Sequence, residues 1–398
     1  MNESRLPVGE ARADSKAVDR PFPPLAAAPL GYNRFDPSDV VGWRTALDAY
    51  GFVVLANVLS ANEVAVATSL LWDYLEERIE GDRSDPGTWA AWPSESYRYG
   101  MIQHDGTHCD GVWYLRGLPG VRAAFANLFG TPDLHVSYDG FPAVRPAPAV
   151  GPTKRDWYHI DHSFDRPGRW LAQGLIALTP SGADDGGLVV WPCSHHRFAD
   201  RWGTVPNEGT LTTILRDFEV VQSYPGAELP RDIAGLGPVK VSMQAGDLAL
   251  WDSRTVHCNA PPGPIPNRAR SVPALADLLA AFPARVPESE TWSALPLCAE
   301  PISVGCACDL CQGRIALRPS SPLARLGAYV CCQPATQTAA DAREREAMLR
   351  ARAWTGHAPF RVVGPQETSA EPLPSAVANC GIRRALAGVP GGATADGA

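Results

Sequence analysis

The stretch Trp157-Tyr158-His159-Ile160-Asp161-His162 decides how this chain is read. On a strand, residues i and i+2 project to one face, so His159 and Asp161 point into the same space. A third donor must come from elsewhere. Far along the chain, Trp251-Asp252-Ser253-Arg254-Thr255-Val256-His257 ends a strong strand-like run on an imidazole. Two histidines and one carboxylate leave the opposite face of an octahedral metal open, which is the donor set of non-haem Fe(II) oxygenases. A bare His-x-Asp is equally compatible with a turn-adjacent histidine and a solvated aspartate. The context favours a site, because an apolar strand enters the motif and His257 stands at another strand end. His162 points to the other strand face and is not expected to be a ligand.

Outward from this motif the texture is β. After Asp133 come LHVSYDGF, WYHIDHSF, WLAQGLIALT, GGLVVWPCSH, VKVSMQAGDLALWDS and RLGAYVCC. These runs are short, rich in β-branched and aromatic residues, and punctuated by Gly, Pro, Asp and Ser. Strands separated by turns, without regular helices between them, argue for an antiparallel sandwich or barrel. Before Asp133 the chain is α-rich. DPSDVVGWRTALDAYG and SANEVAVATSLLWDYLEERI read as helices around a short buried strand, FVVLANVL, and Ser60 with Glu63 forms a capping-box pattern. WYLRGLPGVRAAFANLFG is helical text interrupted by Pro119.

Composition agrees. Of 398 residues, 36 are Gly and 38 are Pro, which breaks any long-helix bundle, while 45% hydrophobic content and twelve tryptophans exclude wholesale disorder. A formal net charge of −8, with arginines scattered without runs, disfavours a phosphate-backbone binder, so no nucleic-acid partner is expected. No stretch reaches the ~18–20 apolar residues of a membrane helix, so no membrane partner is expected. The polar N-terminus lacks a signal-peptide core, and ten cysteines then read as reduced thiols in a cytoplasmic location.

Four segments in order, YGFVVLANVLSANEV, WYHIDHSF, GGLVVWPCSHHRF and GDLALWDSRTVHCNAPP, resemble the phytanoyl-CoA dioxygenase-like family of Fe(II)/2-oxoglutarate-dependent oxygenases. The resemblance spans roughly residues 45–270 and resumes at RLGAYVCCQPA, with Cys193 where the family has Gly. It implies a double-stranded β-helix, a cupin-like jelly roll whose open end holds the metal. It carries His159, Asp161 and His257 over as iron ligands and catalytic residues. It also implies Fe(II), the co-substrate 2-oxoglutarate and O2, with decarboxylation to succinate and CO2. Asp161 at the carboxylate position argues against the family's halogenase variants, which need that position vacant.

The far carboxylate of 2-oxoglutarate suits a planar, bidentate arginine. In the family this arginine heads the strand after the last histidine. Here Arg268 and Arg270 are at about the right distance from His257, but Pro273 and helix-like text follow them. Arg325 heads the strand-like RLGAYVCC and is preferred to Arg270, because a strand fixes a side chain that points into a barrel.

Several other residues invite chemistry. His195 and His196 read as packing or capping groups, and Trp157, Tyr158, Trp170 and Trp191 as core. His104, His108 and Cys109 read as a loop near the cleft mouth, where Gln103 and Asp110 are candidate substrate contacts. Cys298, Cys306, Cys308 and Cys311 invite a Zn(Cys)4 reading, but one residue between Cys306 and Cys308 is short for a zinc knuckle, so an irregular insertion of reduced thiols is the preferred reading. Cys331 and Cys332 read as small apolar residues of the last strand.

The expected architecture is mainly β with flanking helices, a jelly roll preceded by an α-rich region. A disordered leader covers 1–30, the α-rich part 31–132, and the catalytic core 133–334 with an insertion at about 271–322. A C-terminal helix and cap cover 335–364, and a disordered tail 365–398. The expected function is an Fe(II)/2-oxoglutarate-dependent dioxygenase hydroxylating a small organic or acyl-type substrate. The alternatives are a catalytically silent jelly-roll binding protein and a cupin-type metal enzyme independent of 2-oxoglutarate. Neither substrate nor oligomeric state is legible.

Overall fold

The computed structural model describes residues 25–94, 96–146, 157–162, 168–200, 219–220, 236–263, 274, 276–278, 287–300, 302, 306–337, 342–355 and 372–389. The N-terminal part follows the pattern of its sequence. Strands β1 (Ala26–Ala27) and β2 (Arg34–Phe35) precede α1 (Val40–Tyr50), β3 (Phe52–Leu55), α2 (Ala61–Ile79), α3 (Ser96–Tyr99) and β4 (Met101–Ile102). The capping box is formed: the Glu63 amide donates to Ser60 Oγ at 3.3 Å, and the Glu63 carboxylate accepts from the Ser60 amide at 2.7 Å. One face of α2, with Leu71, Trp72, Leu75 and Ile79, is buried. The helical text before Asp133 divides at Leu118, whose extended backbone separates α4 (Asp110–Gly117) from α5 (Pro119–Phe129). Pro119 sits at the first turn of α5, where its missing N–H leaves no helical bond unmade.

From Leu134 onward strands dominate: β5 (Leu134–Val136), β6 (Phe141–Val144), β7 (His159–Ile160), β8 (Ala172–Ala177), β9 (Gly187–Val190), β10 (Glu219–Val220), β11 (Val239–Lys240), β12 (Leu248–Asp252), β13 (His257–Ala260), β14 (Arg325–Tyr329) and β15 (Cys332–Pro334). They form two sheets. One runs β1-β11-β9-β13-β7-β10; the other runs β2-β3-β12-β8-β14-β6-β4, with β15 joining β8 and β5 joining β15. Neighbours are rarely consecutive in the chain, and most pairs are antiparallel, as a jelly roll requires. Gly187 enters β9 with φ +128°, and a Cβ there would lie 2.6 Å from Ser181 Oγ, so this turn requires glycine.

Two boundaries differ from expectation. Within the leader expected over 1–30, Ala26 and Ala27 pair with Val239 and Lys240, and Ala26 and Ala28 are buried; residues 1–24 lie outside the described residues. The tail expected over 365–398 is ordered at 372–389. There α7 (Ser375–Ala378) and α8 (Gly381–Leu386) follow the charged helix α6 (Ala342–Arg350). Val377, Leu386, Ala387 and Val389 are buried, and the Ala387 carbonyl accepts from Arg345 Nε at 2.6 Å and Tyr138 Oη at 3.1 Å. A few well-spaced apolar residues outweigh the Ala/Pro/Gly composition of this stretch. The insertion is irregular but fixed at 287–300. Trp292 is buried, donates from Nε1 to Asp252 at 2.9 Å, and packs edge-on against Phe129. Asp48 of α1 accepts from the amides of Trp292 and Ser293. Of the helix-like text at 273–282, the three residues 276–278 are helical and most of the rest lies outside the described residues.

Candidate metal centre

Strand pairing assembles the triad. His159 on β7 lies opposite His257 on β13, and the Asp161 amide donates to the Ser253 carbonyl at 3.1 Å. Asp161 Oδ2 is 3.2 Å from His257 Nε2 and 3.7 Å from His159 Nε2. All three ligand atoms lie within 4.8 Å of one another, and all three side chains are buried. Cis donors of an octahedral ion with bonds of about 2.1 Å stand about 3.0 Å apart, so the spacing fits a facial set.

Hydrogen bonding fixes which nitrogen faces the centre. His159 Nδ1 is 3.0 Å from the Trp157 carbonyl, and His257 Nδ1 is 2.8 Å from the Thr255 carbonyl. A carbonyl only accepts, so Nδ1 carries the proton and Nε2 presents a lone pair. Burial, followed by the neighbouring His159, pushes the His257 pKa below its ordinary value and keeps the ring neutral. Two imidazole lone pairs and a carboxylate therefore converge on one point, an arrangement that a divalent cation satisfies.

Gln173 comes from the opposite sheet, on β8, and its Nε2 donates to Asp161 Oδ2 at 2.6 Å. It is fully buried within the apolar run Ala172–Ala177. Sequence reasoning passed over it, although one amide inside a β8 run that is otherwise apolar was the available signal. Gln173→Leu is expected to weaken metal binding about 10–100-fold, the usual cost of losing a partner that orients a ligand. Equilibrium dialysis with Fe(II) checks this; unchanged affinity would remove Gln173 from the site.

Arg325 begins β14, is 5% exposed, and donates from Nη2 to Asn259 Oδ1 at 3.0 Å. Asn259 in turn donates to Tyr329 Oη at 2.7 Å. Asn259 stands two residues after His257 on β13 and shares its face, so Arg325 and Tyr329 reach across the sandwich toward the triad's side. Arg268 and Arg270 lie outside the described residues. Lys240 on β11 is buried within electrostatic reach of Arg325 and donates to Ser181 and to the Gly182 carbonyl. Burial, with Arg325 adding to it, pushes its pKa down to about 7. Lys240 and Asn259 were also not anticipated.

Other sequence candidates are held in place by contacts that do not involve the triad's side chains. His195 and His196 bond through Nε2 to the carbonyls of Asp48 and Ala49 at the end of α1, at 2.8 and 2.9 Å. His162 Nδ1 lies 2.7 Å from Ser253 Oγ. His108 Nε2 bonds to the Ala353 carbonyl at 2.8 Å, and Asp110 accepts from Ser375 on α7 at 3.4 Å. The Gln103 carbonyl accepts from the Gly106 amide. Cys193, where the family has Gly, adopts φ +63°, a left-handed conformation that explains the family's preference. Asp252 and Arg254 form a buried ion pair at 2.6 Å just before His257, holding the Asp252 carboxyl well below the usual carboxylate range. Cys298 donates to the Glu300 carbonyl and stands apart from Cys306, Cys308 and Cys311, which meet Cys380 instead.

A jelly roll with a buried facial set of two histidines and one aspartate defines a class: a protein built to hold a single metal ion between two sheets. Residues 47–261, more than half the chain, match the family described as Phytanoyl-CoA dioxygenase (PhyH), and the chain belongs to that family. It is 30% identical over 244 residues to "Ava biosynthesis cluster protein O" of Aspergillus versicolor, covering 59% of this chain and 77% of that one. It is 23% identical over 275 residues to a "Putative phytanoyl-CoA dioxygenase" of Dictyostelium discoideum, covering 59% and 73%. A similar solved structure is the epimerase SnoN in complex with Fe3+, alpha ketoglutarate and nogalamycin RO, at 17% identity and TM-score 0.41, covering 76% of this chain and 86% of that one. Iron and 2-oxoglutarate are the family's cofactors, and the donor set found here is one that iron accepts. Among the described residues, no helix is long and apolar enough to cross a membrane.

Proposed function

We propose that this protein is an Fe(II)- and 2-oxoglutarate-dependent dioxygenase that hydroxylates a small organic or acyl-type substrate, releasing succinate and CO2. The observation that carries this reading is the convergence of His159 Nε2, His257 Nε2 and an Asp161 oxygen, with both Nδ1 atoms committed to backbone carbonyls. When bound, iron supplies the activation of O2 that couples decarboxylation of 2-oxoglutarate to oxidation of a substrate C–H bond.

The chain's own groups do the rest. His159, Asp161 and His257 hold the metal, and Gln173 keeps the Asp161 oxygen turned toward it. Arg325 receives the far carboxylate of 2-oxoglutarate, and Asn259, held by Tyr329, sets the guanidinium's angle. Trp157 stacks on the His159 ring at 4.7 Å, and Trp251 lies 5.3 Å from His257, so both imidazoles are shielded from water. The name of the Aspergillus relative places that protein in a biosynthesis cluster, which favours a small biosynthetic intermediate over a macromolecule.

The test is Fe(II)-dependent conversion of 2-oxoglutarate to succinate, with a panel of small molecules and a His159→Ala control. Stimulation by a panel member identifies the substrate class. Succinate no higher than in the control would overturn this reading in favour of a binding module or a metal enzyme independent of 2-oxoglutarate.

A further inference from the structure

We infer that Cys306, Cys308, Cys311 and Cys380 form a structural zinc site that fastens the C-terminal segment to the loop at 306–315. The four sulfurs all lie within 4.8 Å of one another. Cys306 Sγ is 3.3 Å from Cys308 Sγ and 3.5 Å from Cys380 Sγ, and Cys311 Sγ is 3.6 Å from Cys380 Sγ. With Zn–S bonds of about 2.3 Å, the edge of a tetrahedral tetrathiolate is about 3.8 Å. The three separations fall about 0.2–0.5 Å short of that edge, within reach of a small adjustment on metal binding, and are far longer than a disulfide bond of about 2.05 Å.

The surroundings suit the charge such a site carries. Zinc with four thiolates has net charge −2, and two arginines stand beside it. Arg383 is buried, donates from Nη1 to Cys308 Sγ at 3.5 Å, and is anchored through Nε to the Trp113 carbonyl at 2.9 Å. Arg122 lies within electrostatic reach of Cys311 and Cys380. The Cys311 amide donates to Cys308 Sγ at 3.4 Å, giving one thiolate a backbone partner. Partners of this kind stabilise and orient metal-bound thiolates.

Cys306-Ala307-Cys308 is tight, but Cys308-Asp309-Leu310-Cys311 has the two-residue interval of a zinc knuckle, and the fourth ligand, Cys380, is the N-cap residue of α8. All-sulfur tetrahedral coordination selects zinc or iron–sulfur chemistry over the harder metals. The site is separate from the triad in its residues and does not depend on the function proposed above. Its role is to hold α7 and α8, which pack on α4, to a loop with few apolar side chains of its own.

The test uses full-length protein purified under reducing conditions without chelator. Elemental analysis is expected to find one zinc per chain, retained in a His159→Ala/His257→Ala variant and in Cys298→Ser. Cys308→Ser and Cys380→Ser are each expected to lose it. Should those variants fail to fold, cobalt substitution of the triad-deficient protein gives an independent reading. Intense thiolate-to-cobalt charge transfer with tetrahedral visible bands supports the site. Zinc that survives both cysteine substitutions, four titratable thiols with no metal, paired disulfides, or iron in place of zinc would each overturn the assignment.

Discussion

Asp161→Ala is expected to abolish iron-dependent succinate formation while the protein remains folded. Asp161 supplies the only carboxylate of the triad and the acceptor for Gln173 Nε2. Its loss leaves two imidazole nitrogens to hold a divalent ion and strands a buried amide donor, which itself costs about 1–3 kcal/mol. Loss of an orienting partner alone costs roughly 10–100-fold in affinity or activity, and removing the ligand it orients must cost more. Fe(II) affinity by equilibrium dialysis and succinate by mass spectrometry should therefore fall together, beyond the ~100-fold range of Gln173→Leu. Circular dichroism close to wild type separates a lost site from a lost fold. A variant that keeps its succinate output at ordinary iron concentrations would show that Asp161 is not needed to hold the iron.

Arg325→Ala should raise the KM for 2-oxoglutarate by at least about 30-fold. Truncating one partner of a buried, hydrogen-bonded charge pair costs about 2–5 kcal/mol, and the lower figure corresponds to that factor. The effect should fall on KM more than on kcat, because Arg325 is placed to bind the carboxylate far from the reacting carbons. Arg325→Lys should recover part of the loss, since a point charge replaces the fork that holds both oxygens. An unchanged KM in Arg325→Ala would transfer the role to another cation, with Arg270 the first to try.

The triad was legible because strand geometry forces it. His159 on β7 and Asp161, one residue past the strand's end, stand two apart as the period of two requires, and the run ending at His257 needed only antiparallel pairing to complete the set. The helices before Asp133 were legible from caps and Pro119, which are local signals. What escaped the sequence depends on contacts across the sandwich. Gln173 and Asn259 are ordinary amides until the two sheets close and bring one onto Asp161 and the other onto Arg325. The tail misled for a related reason. Its composition resembles disordered chain, yet α7 and α8 pack on a surface made by α4 and β5 that no local pattern announces, with Val377, Leu386 and Val389 buried. Cys380 illustrates this most clearly. Counting nearby cysteines selected Cys298, whereas the fold supplies the fourth thiol from far along the chain.

One iron and one 2-oxoglutarate are expected to meet between these two sheets. A crystal structure of the protein grown without oxygen, with Fe(II) and 2-oxoglutarate and diffraction recorded at the iron edge, tests it most directly. The iron peak is expected to be bounded by His159 Nε2, His257 Nε2 and an Asp161 oxygen, with the far carboxylate of 2-oxoglutarate on Arg325. Iron located elsewhere, or 2-oxoglutarate bound away from the peak, would contradict it.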